Sequence, residues 1–148
     1  MIPELSMLQR TIFTPKNMEI CDAQKDQEAE AYTGYNFSTQ DERVKFRKAK
    51  ITPKKIGLFV ALWERASNGK TIPFHQDGPT DVYIFMAQYT DKRGFFIFSK
   101  QVLANHNILS TSTKEGKRGF RLYPPWDKPT SKQALASQQW QVKYFTEV

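Results

Sequence analysis

The sequence predicts a single α/β (α+β) domain with a central mixed sheet of about four strands flanked by helices. Two runs of apolar residues, Asp81–Ala87 and Gly94–Phe98, are continuous enough for central strands that are covered on both faces. Helical patterns lie between the predicted strands along the chain, an order that is typical of layered α/β domains. The length of 148 residues suffices for one domain with its own core.

Charge is distributed unevenly along the chain. Residues 1–42 contain three Lys or Arg and eight Asp or Glu, a balance of −5. Residues 43–148 contain nineteen Lys or Arg and seven Asp or Glu, a balance of +12. A body this basic attracts polyanions through its long-range potential. We therefore expect a polyanion partner, with a merely solvated basic surface as the alternative.

The N-terminus and the single cysteine bear on the location of the protein. The first residues lack the basic start and apolar stretch of a signal peptide, and no apolar run is long enough for a membrane span. Cys21 alone can form neither an internal disulfide nor a cysteine-based zinc site. We expect a cytoplasmic protein that has no membrane contact.

The N-terminal part of the chain is expected to be helical. Apolar residues recur at near-helical spacing between Pro3 and Phe13, which predicts a short amphipathic helix. The acidic stretch 17–30 could be helical as well, so residues 1–30 are interpreted as a helical extension of a single domain 1–148. Tyr32–Phe37 is predicted to be a turn.

The strongest basic feature begins at Arg43. Alternation in the segment Arg43–Lys50 predicts an extended strand with an apolar face and a basic outer face. Thr52 and Pro53 then predict a helix start, because threonine can cap free N–H groups and proline has none to satisfy. This helix would bury the residues at i, i+3, i+4 and i+7 spacing, namely Ile56, Phe59, Val60 and Trp63.

A helix that begins at Pro53 would itself attract an anion, since its first N–H groups are free and carry a partial positive charge. Lys54 and Lys55 in the first turn oppose the helix dipole, and a bound phosphate would offset that cost. We interpret this run as a phosphate-binding surface, with a solvated charged face as the alternative. Its seven basic residues are Arg43, Lys45, Arg47, Lys48, Lys50, Lys54 and Lys55.

The remaining elements are read from strand patterns and capping residues. Strands are predicted over Thr71–Phe74 and Lys117–Tyr123. Ser99 and Ser131 are predicted to cap two helices, the second of which extends through Tyr144.

A second basic cluster lies around the predicted strand Lys117–Tyr123. It consists of Lys114, Lys117, Arg118 and Arg121 and is followed by the aromatic residues Tyr123 and Trp126. Aromatic rings beside basic side chains suit single-stranded nucleic acid, because bases stack on the rings while cations hold the phosphates. The alternative is that both rings pack in the core.

Enzymatic interpretations have less support from the sequence. There are two histidines, no metal-binding His or Cys pattern and no glycine-rich phosphate loop. The nearest comparison is with metal-dependent nucleases, which use an aspartate at the start of one strand and an acid-x-lysine at the end of the next. Asp81 and Lys100 occupy such positions, but Phe98 stands where the second acid would be and cannot bind Mg²⁺. Glu64 or Asp77 could replace that acid.

Several longer motifs resemble the MepB-like family over about Tyr32 to Phe145. The motifs are Phe46–Gly57, Phe96–Phe98 with Lys100, Gly116–Gly119, Arg121 with Tyr123–Trp126, and Gln139–Gln141 with Tyr144 and Phe145. Ser99 stands where the family is expected to have proline. The resemblance does not cover the N-terminal helix.

The resemblance implies a bacterial protein that is often encoded beside a multidrug efflux pump and its repressor, and to which no enzymatic activity is generally assigned. It also implies a fold similar to the PD-(D/E)XK restriction-endonuclease-like core, whose order of helix, three strands, helix and strand agrees with the predicted order. Likeness of fold alone does not establish a nuclease.

We expect a nucleic-acid-binding protein without nuclease activity, cofactor or metal, acting in a response to antimicrobials. Single-stranded DNA or RNA is expected to be preferred over duplex DNA, because no predicted helix has the character of a major-groove recognition helix. The alternatives are a metal-dependent nuclease with a diverged site that uses Asp81 and Lys100, and a factor whose basic face binds an acidic protein.

Overall fold

Fourteen regular elements form the structure, which is a computed structural model that describes residues 1–148. In chain order they are α1 (Pro3–Leu8), β1 (Cys21–Lys25), β2 (Tyr35–Ser38), β3 (Arg43–Lys48), β4 (Lys50–Ile51), β5 (Leu58–Ala61), β6 (Trp63–Arg65), β7 (Thr71–Pro73), β8 (Val82–Tyr89), β9 (Lys92–Ser99), α2 (Lys100–Asn105), β10 (Gly119–Leu122), α3 (Lys132–Gln141) and β11 (Phe145–Glu147). Short helical turns occupy Gln9–Phe13, Thr14–Lys16, Gln27–Tyr32 and Val142–Tyr144.

A mixed sheet of six strands, in the order β1-β2-β3-β8-β9-β11, divides the molecule into two layers. β3 and β8 run parallel, and the other neighbours are antiparallel. The α+β architecture with a mixed sheet is thus as predicted, but six strands replace the expected four. β8 and β9 confirm the two central strands, since their apolar runs are covered on both faces.

Each face of this sheet covers its own hydrophobic core. On one face, Val44, Phe46 and Ile84 pack under the N-terminal helical segment, where Leu5 and Leu8 are fully buried. The other face packs against α2, α3 and a second sheet of order β10-β5-β4. None of the helices is long and apolar enough to cross a membrane.

The helix predicted from Pro53 to Trp63 is wrong. Residues 52–57 form a turn in which Lys54 and Gly57 have φ values of 66° and 89°, and β5 and β6 follow. The segment fits a strand as well as a helix, since Leu58, Val60 and Leu62 alternate and are all buried. Gly57 and the β-branched and aromatic residues around it favour the strand.

The N-terminal 30 residues are not a helical extension throughout. The helix after Pro3 is present and continues as irregular turns to Lys16, but β1 follows as an edge strand and pairs with β2. β2 itself occupies the second half of the segment predicted to be the turn Tyr32–Phe37. Thr33, with a φ of 51°, turns the chain just before this strand, so a turn is present but the predicted segment is too long.

The capping predictions for Ser99 and Ser131 are confirmed. The hydroxyl of Ser99 accepts a hydrogen bond from the N–H of Val102 at 3.2 Å, and Ser131 accepts one from Ala134 at 3.1 Å. The final helix is shorter than expected, because α3 ends at Gln141 and a helical turn leads into β11.

Candidate nucleic-acid interface

The predicted basic outer face of β3 does not exist. Lys45 and Arg47 are only 7% and 1% exposed, because β3 is a central strand with packed layers on both sides. Arg47 Nη2 donates to Asp26 Oδ2 at 2.7 Å, and Lys45 Nζ lies 3.4 Å from the same oxygen. Lys45 also donates to Asn36 Oδ1 at 2.8 Å. These cations are therefore part of the folded core and not of a phosphate-binding surface.

The buried charges alter one another's ionisation. Burial alone would raise the pKa of Asp26, but the positive charges of Arg47 and Lys45 outweigh it, and the pKa lies below its ordinary value. Burial and the neighbouring Arg47 charge lower the pKa of Lys45, against the opposing effect of Asp26. A single carboxylate is thus shared by two buried cations.

The anion site predicted at a helix N-terminus is also absent, because residues 52–57 form a turn. Arg121 holds this turn in place by donating to the carbonyls of Ile56 and Gly57 and to the hydroxyl of Thr52. Arg121 is consequently engaged within the chain. Lys54 and Lys55, in contrast, are both exposed on this turn.

The turn forms one wall of a groove of about 430 Å³, which we call the aromatic–basic groove. The β8–β9 hairpin and the turn after β10 form the other walls. The groove brings together two predicted residues, Lys55 and Trp126. Its lining consists of Ile51, Lys55, Ile56, Gly57, Leu58, Tyr89, Lys92, Trp126, Asp127 and Lys128.

Three lysines, two aromatic rings and exposed apolar side chains define the chemistry of the groove. Tyr89 is 52% exposed, and Ile51 is 59% exposed. The indole of Trp126 is partly buried, with its ring centroid 5.5 Å from that of Phe145 in an edge-on arrangement. Asp127 is the one acidic lining residue, and burial raises its pKa. The surface offers cations and π faces together.

Sequence reasoning missed Tyr89, Lys92 and Lys128. Tyr89 and Lys92 flank the tight turn of the β8–β9 hairpin, where Thr90 has a φ of 53°. The change from an apolar run to the polar residues 88–93 was the available signal, because hairpin tips project into solvent.

The second predicted basic cluster is not brought to the groove. Lys117, Arg121 and Tyr123 line a separate cavity of about 290 Å³ against α3, together with the stacked rings of His106 and Trp140. Arg118 donates to the carbonyl of Thr71 at 3.0 Å.

The other lysines of the prediction lie in different surroundings. Lys48 Nζ is 3.2 Å from Glu4 Oε2, and exposed Lys50 has its Nζ 5.1 Å from the centroid of the Tyr32 ring.

The two nuclease-like positions do meet at one edge of the main sheet. Lys100 Nζ lies 3.9 Å from Asp81 Oδ1, and Asp81 Oδ2 accepts the backbone N–H of Arg43 at 2.9 Å. Phe98 is fully buried and packs against the rings of Phe96 and Trp140.

The proposed substitute acids do not complete a metal site at this edge. Asp77 has an 82% exposed side chain and pairs with His75, and Glu64 lies in β6, which belongs to a different sheet. Nowhere do three or more His, Cys, Asp or Glu side chains group in a way that could hold a metal ion.

Comparison with known proteins gives one family and one solved structure. The model of the MepB-like family matches residues 26–147. The solved structure is described as the crystal structure of MepB and has 30% sequence identity and a TM-score of 0.86. The match covers 100% of this chain and 98% of the other. No curated protein matches.

Proposed function

The chain belongs to the MepB-like family, and we propose that it binds single-stranded nucleic acid through the aromatic–basic groove. One observation carries the proposal: Lys55, Lys92 and Lys128 surround the same groove as the rings of Tyr89 and Trp126. Lysines neutralise phosphates, and each aromatic ring accepts a base of any sequence.

The shape of the groove favours a single strand over a duplex. Bases can reach Tyr89 and Trp126 only when they are unstacked from a partner strand, and a duplex keeps its base faces inside. The longest helix, α3, has 10 residues, and its Trp140 packs into the core. No helix of the structure therefore has the character of a recognition helix for the major groove of duplex DNA.

We further propose that the β8–β9 edge is a nuclease-like core of PD-(D/E)XK type with a degenerate active site. The support is the placement of Asp81 and Lys100 on adjacent strand ends, while Phe98 lies in the core. One carboxylate that already accepts an N–H is a poor site for Mg²⁺, which prefers several oxygen ligands. On this proposal the protein binds nucleic acid without cutting it.

The experiment compares Tyr89→Leu with Tyr89→Phe in the binding of a labelled oligouridine. Leucine removes the π face and should weaken binding by about 5- to 150-fold, since stacking contributes about 1–3 kcal/mol per base. Phenylalanine keeps the ring and should bind as the wild type does. Tyr89 is half exposed, so neither change should alter stability much.

Two outcomes would oppose the proposal. Equal affinity of the leucine and phenylalanine variants would remove the stacking role, and duplex DNA of matched length bound as tightly would remove the preference for single strands. The same samples are incubated with Mg²⁺ or Mn²⁺ and examined for strand shortening. Cleavage that disappears in Asp81→Ala would show that the active site is not degenerate.

A further inference from the structure

A second, deeper cavity lies at the other end of the main sheet from the groove. We call it the inner cavity; it has a volume of about 290 Å³, and the residues that matter here are Asn36, Lys45, Trp63, Glu64, His75 and Thr80. Ligand cavities commonly measure about 300–1,000 Å³, so this one suits a small molecule or a single base. On β8, Tyr83 lines the inner cavity and Tyr89 lines the groove, which separates the two sites by roughly 20 Å along the strand.

The carboxylate of Glu64 lines the inner cavity without an ion-pair partner. It is half-buried on β6 and forms no ion pair with any residue of the chain. Lys45 and Tyr83 line the same cavity and are close enough for the negative charge of Glu64 to act on them. A carboxylate in such a position can accept two N–H groups from a ligand.

Hydrogen-bond donors lie in the same cavity. Lys45 Nζ is held by Asp26 and Asn36 and sits 4.7 Å from the centroid of the Phe74 ring, so its position is fixed before any ligand binds. The N–H of Asp77 donates to His75 Nδ1 at 3.1 Å, which leaves the proton of the neutral ring on Nε2. The carboxylates of Asp26 and Glu28 also line the cavity, but they are paired with Lys45 and Arg47 and with Arg65. The cavity therefore combines one unpaired carboxylate, that of Glu64, with two donors.

The walls add flat apolar surface. Trp63 and Phe74 both line the cavity, and the guanidinium of Arg65 lies 5.3 Å from the Trp63 ring centroid. Aromatic walls with a few polar groups are the usual surroundings of an unstacked nucleobase.

A shallower cavity of about 630 Å³ adjoins the inner one, and the two share Asn36, Lys45, Pro79 and Thr80. Arg43 lines this outer cavity, is exposed, and its guanidinium forms no ion pair. Guanidinium groups bind phosphates in a bidentate manner.

We propose that the inner cavity binds the guanine base of a nucleotide, with Glu64 accepting from the base and Arg43 contacting the phosphate in the outer cavity. Guanine presents an N–H and an amino group side by side, which matches one carboxylate, whereas adenine, cytosine and uracil each present one donor group there. The oxygen and nitrogen acceptors on its other edge suit Lys45 and the His75 Nε2–H. The nucleotide is either free or the end of a strand.

The test is calorimetric titration of the protein with GMP, AMP, CMP, UMP and inorganic phosphate. GMP should bind at least about tenfold more tightly than the other three nucleotides. Glu64→Gln should weaken GMP binding at least about tenfold, since the amide offers one acceptor without charge. The matched control is Glu30→Gln, at an exposed carboxylate outside the cavity, and it should leave GMP affinity unchanged.

A second variant separates the phosphate contact from the base contact. Arg43→Gln should weaken GMP binding and leave guanosine binding unchanged. A further experiment asks whether an oligouridine that ends in guanosine displaces bound GMP. Displacement by the linear oligomer but not by its circular form would assign the site to strand ends. Displacement by neither would assign it to the free nucleotide.

The proposal is overturned if no nucleotide binds at millimolar concentration, if all four bind equally, or if inorganic phosphate binds as tightly as GMP. Unchanged GMP affinity in Glu64→Gln would overturn it as well. Because the site lies far from the aromatic–basic groove, its failure would leave the proposal for the groove untouched, and Tyr89→Leu should not affect GMP binding.

Discussion

Asp26 is the residue on which the interior of the main sheet depends most. It faces two buried cations, Lys45 and Arg47, and its side chain is itself only 13% exposed. Burying charge is unfavourable unless each charge is paired. Alternation along β3 suggested an exposed basic face, because the partner carboxylate lies about twenty residues away in sequence and the pairing is not visible in a local pattern.

Asp26→Asn should therefore destabilise the protein by about 3–5 kcal/mol, since it removes the carboxylate that pairs directly with two buried cations. Urea unfolding at neutral pH measures this loss. The matched control is Asp22→Asn, at an exposed carboxylate without an ion pair, and it should change the free energy of unfolding by less than about 0.5 kcal/mol.

The ion pairs of Asp26 also predict that the stability of the protein depends on pH. Since the pKa of Asp26 is lowered on folding, its contribution is full above the unfolded value of about 3.9 and is lost as the pH falls through the folded pKa. The difference in stability between wild type and Asp26→Asn should be constant from pH 5 to 7 and shrink below about pH 4. A constant difference down to about pH 2 would contradict this account.

At the scale of elements, the segment 52–65 decides where the groove lies. Its apolar residues satisfy both a helical and an alternating pattern, and tertiary contacts select the strand. β5 pairs with β10 and β4, so a helix here would leave the second sheet without its central strand. The apolar runs of β8 and β9 are short and rich in aromatic and β-branched residues, which favours strands over helices, and they were predicted correctly.

Gly57 makes this arrangement possible, and a pair of substitutions tests its role. Gly57 and Gly69 have similar φ values of 89° and 85°, but a Cβ at Gly57 would lie 2.7 Å from the Tyr123 ring, whereas one at Gly69 meets nothing within 4 Å. Gly69→Ala should cost about 1–2 kcal/mol for backbone strain. Gly57→Ala should cost about 1–3 kcal/mol more, through crowding.

Thermal or urea unfolding of the two variants distinguishes strain from crowding. Equal losses would mean that the Tyr123 ring moves aside freely and that crowding at Gly57 adds nothing to the backbone strain. Single-strand binding of Gly57→Ala should also fall, because Gly57 lines the groove.

On the scale of the whole molecule, the N-terminal segment completes the domain. The family match begins at residue 26, yet Leu5, Leu8, Ile12 and Phe13 close one core of the sheet. The amphipathic spacing of these residues predicted a helix, but not which face of the sheet it would cover. Family membership and the mixed architecture were predictable from the sequence.

The site was predictable only in part, because three separate turns build the groove. Lys55 and Trp126 were identified from local basic and aromatic patterns, whereas Tyr89, Lys92 and Lys128 become neighbours of them only through the tertiary fold. The basic residues named from linear clusters, such as Arg47 and Arg121, are used to hold the fold together.

The salt dependence of single-strand binding tests the central claim most directly. We expect log K for a labelled oligouridine to fall linearly with log salt concentration. When Lys55, Lys92 and Lys128 are all changed to Gln, the magnitude of the slope should decrease by about 2, because each phosphate contact contributes about 0.7 to it. A control of equal charge, with Lys16, Lys25 and Lys132 changed to Gln, should nearly keep the wild-type slope, because these exposed lysines lie outside the groove. Equal slopes for the wild type and the groove variant, or equal losses in both variants, would contradict the assignment of the groove as the nucleic-acid site.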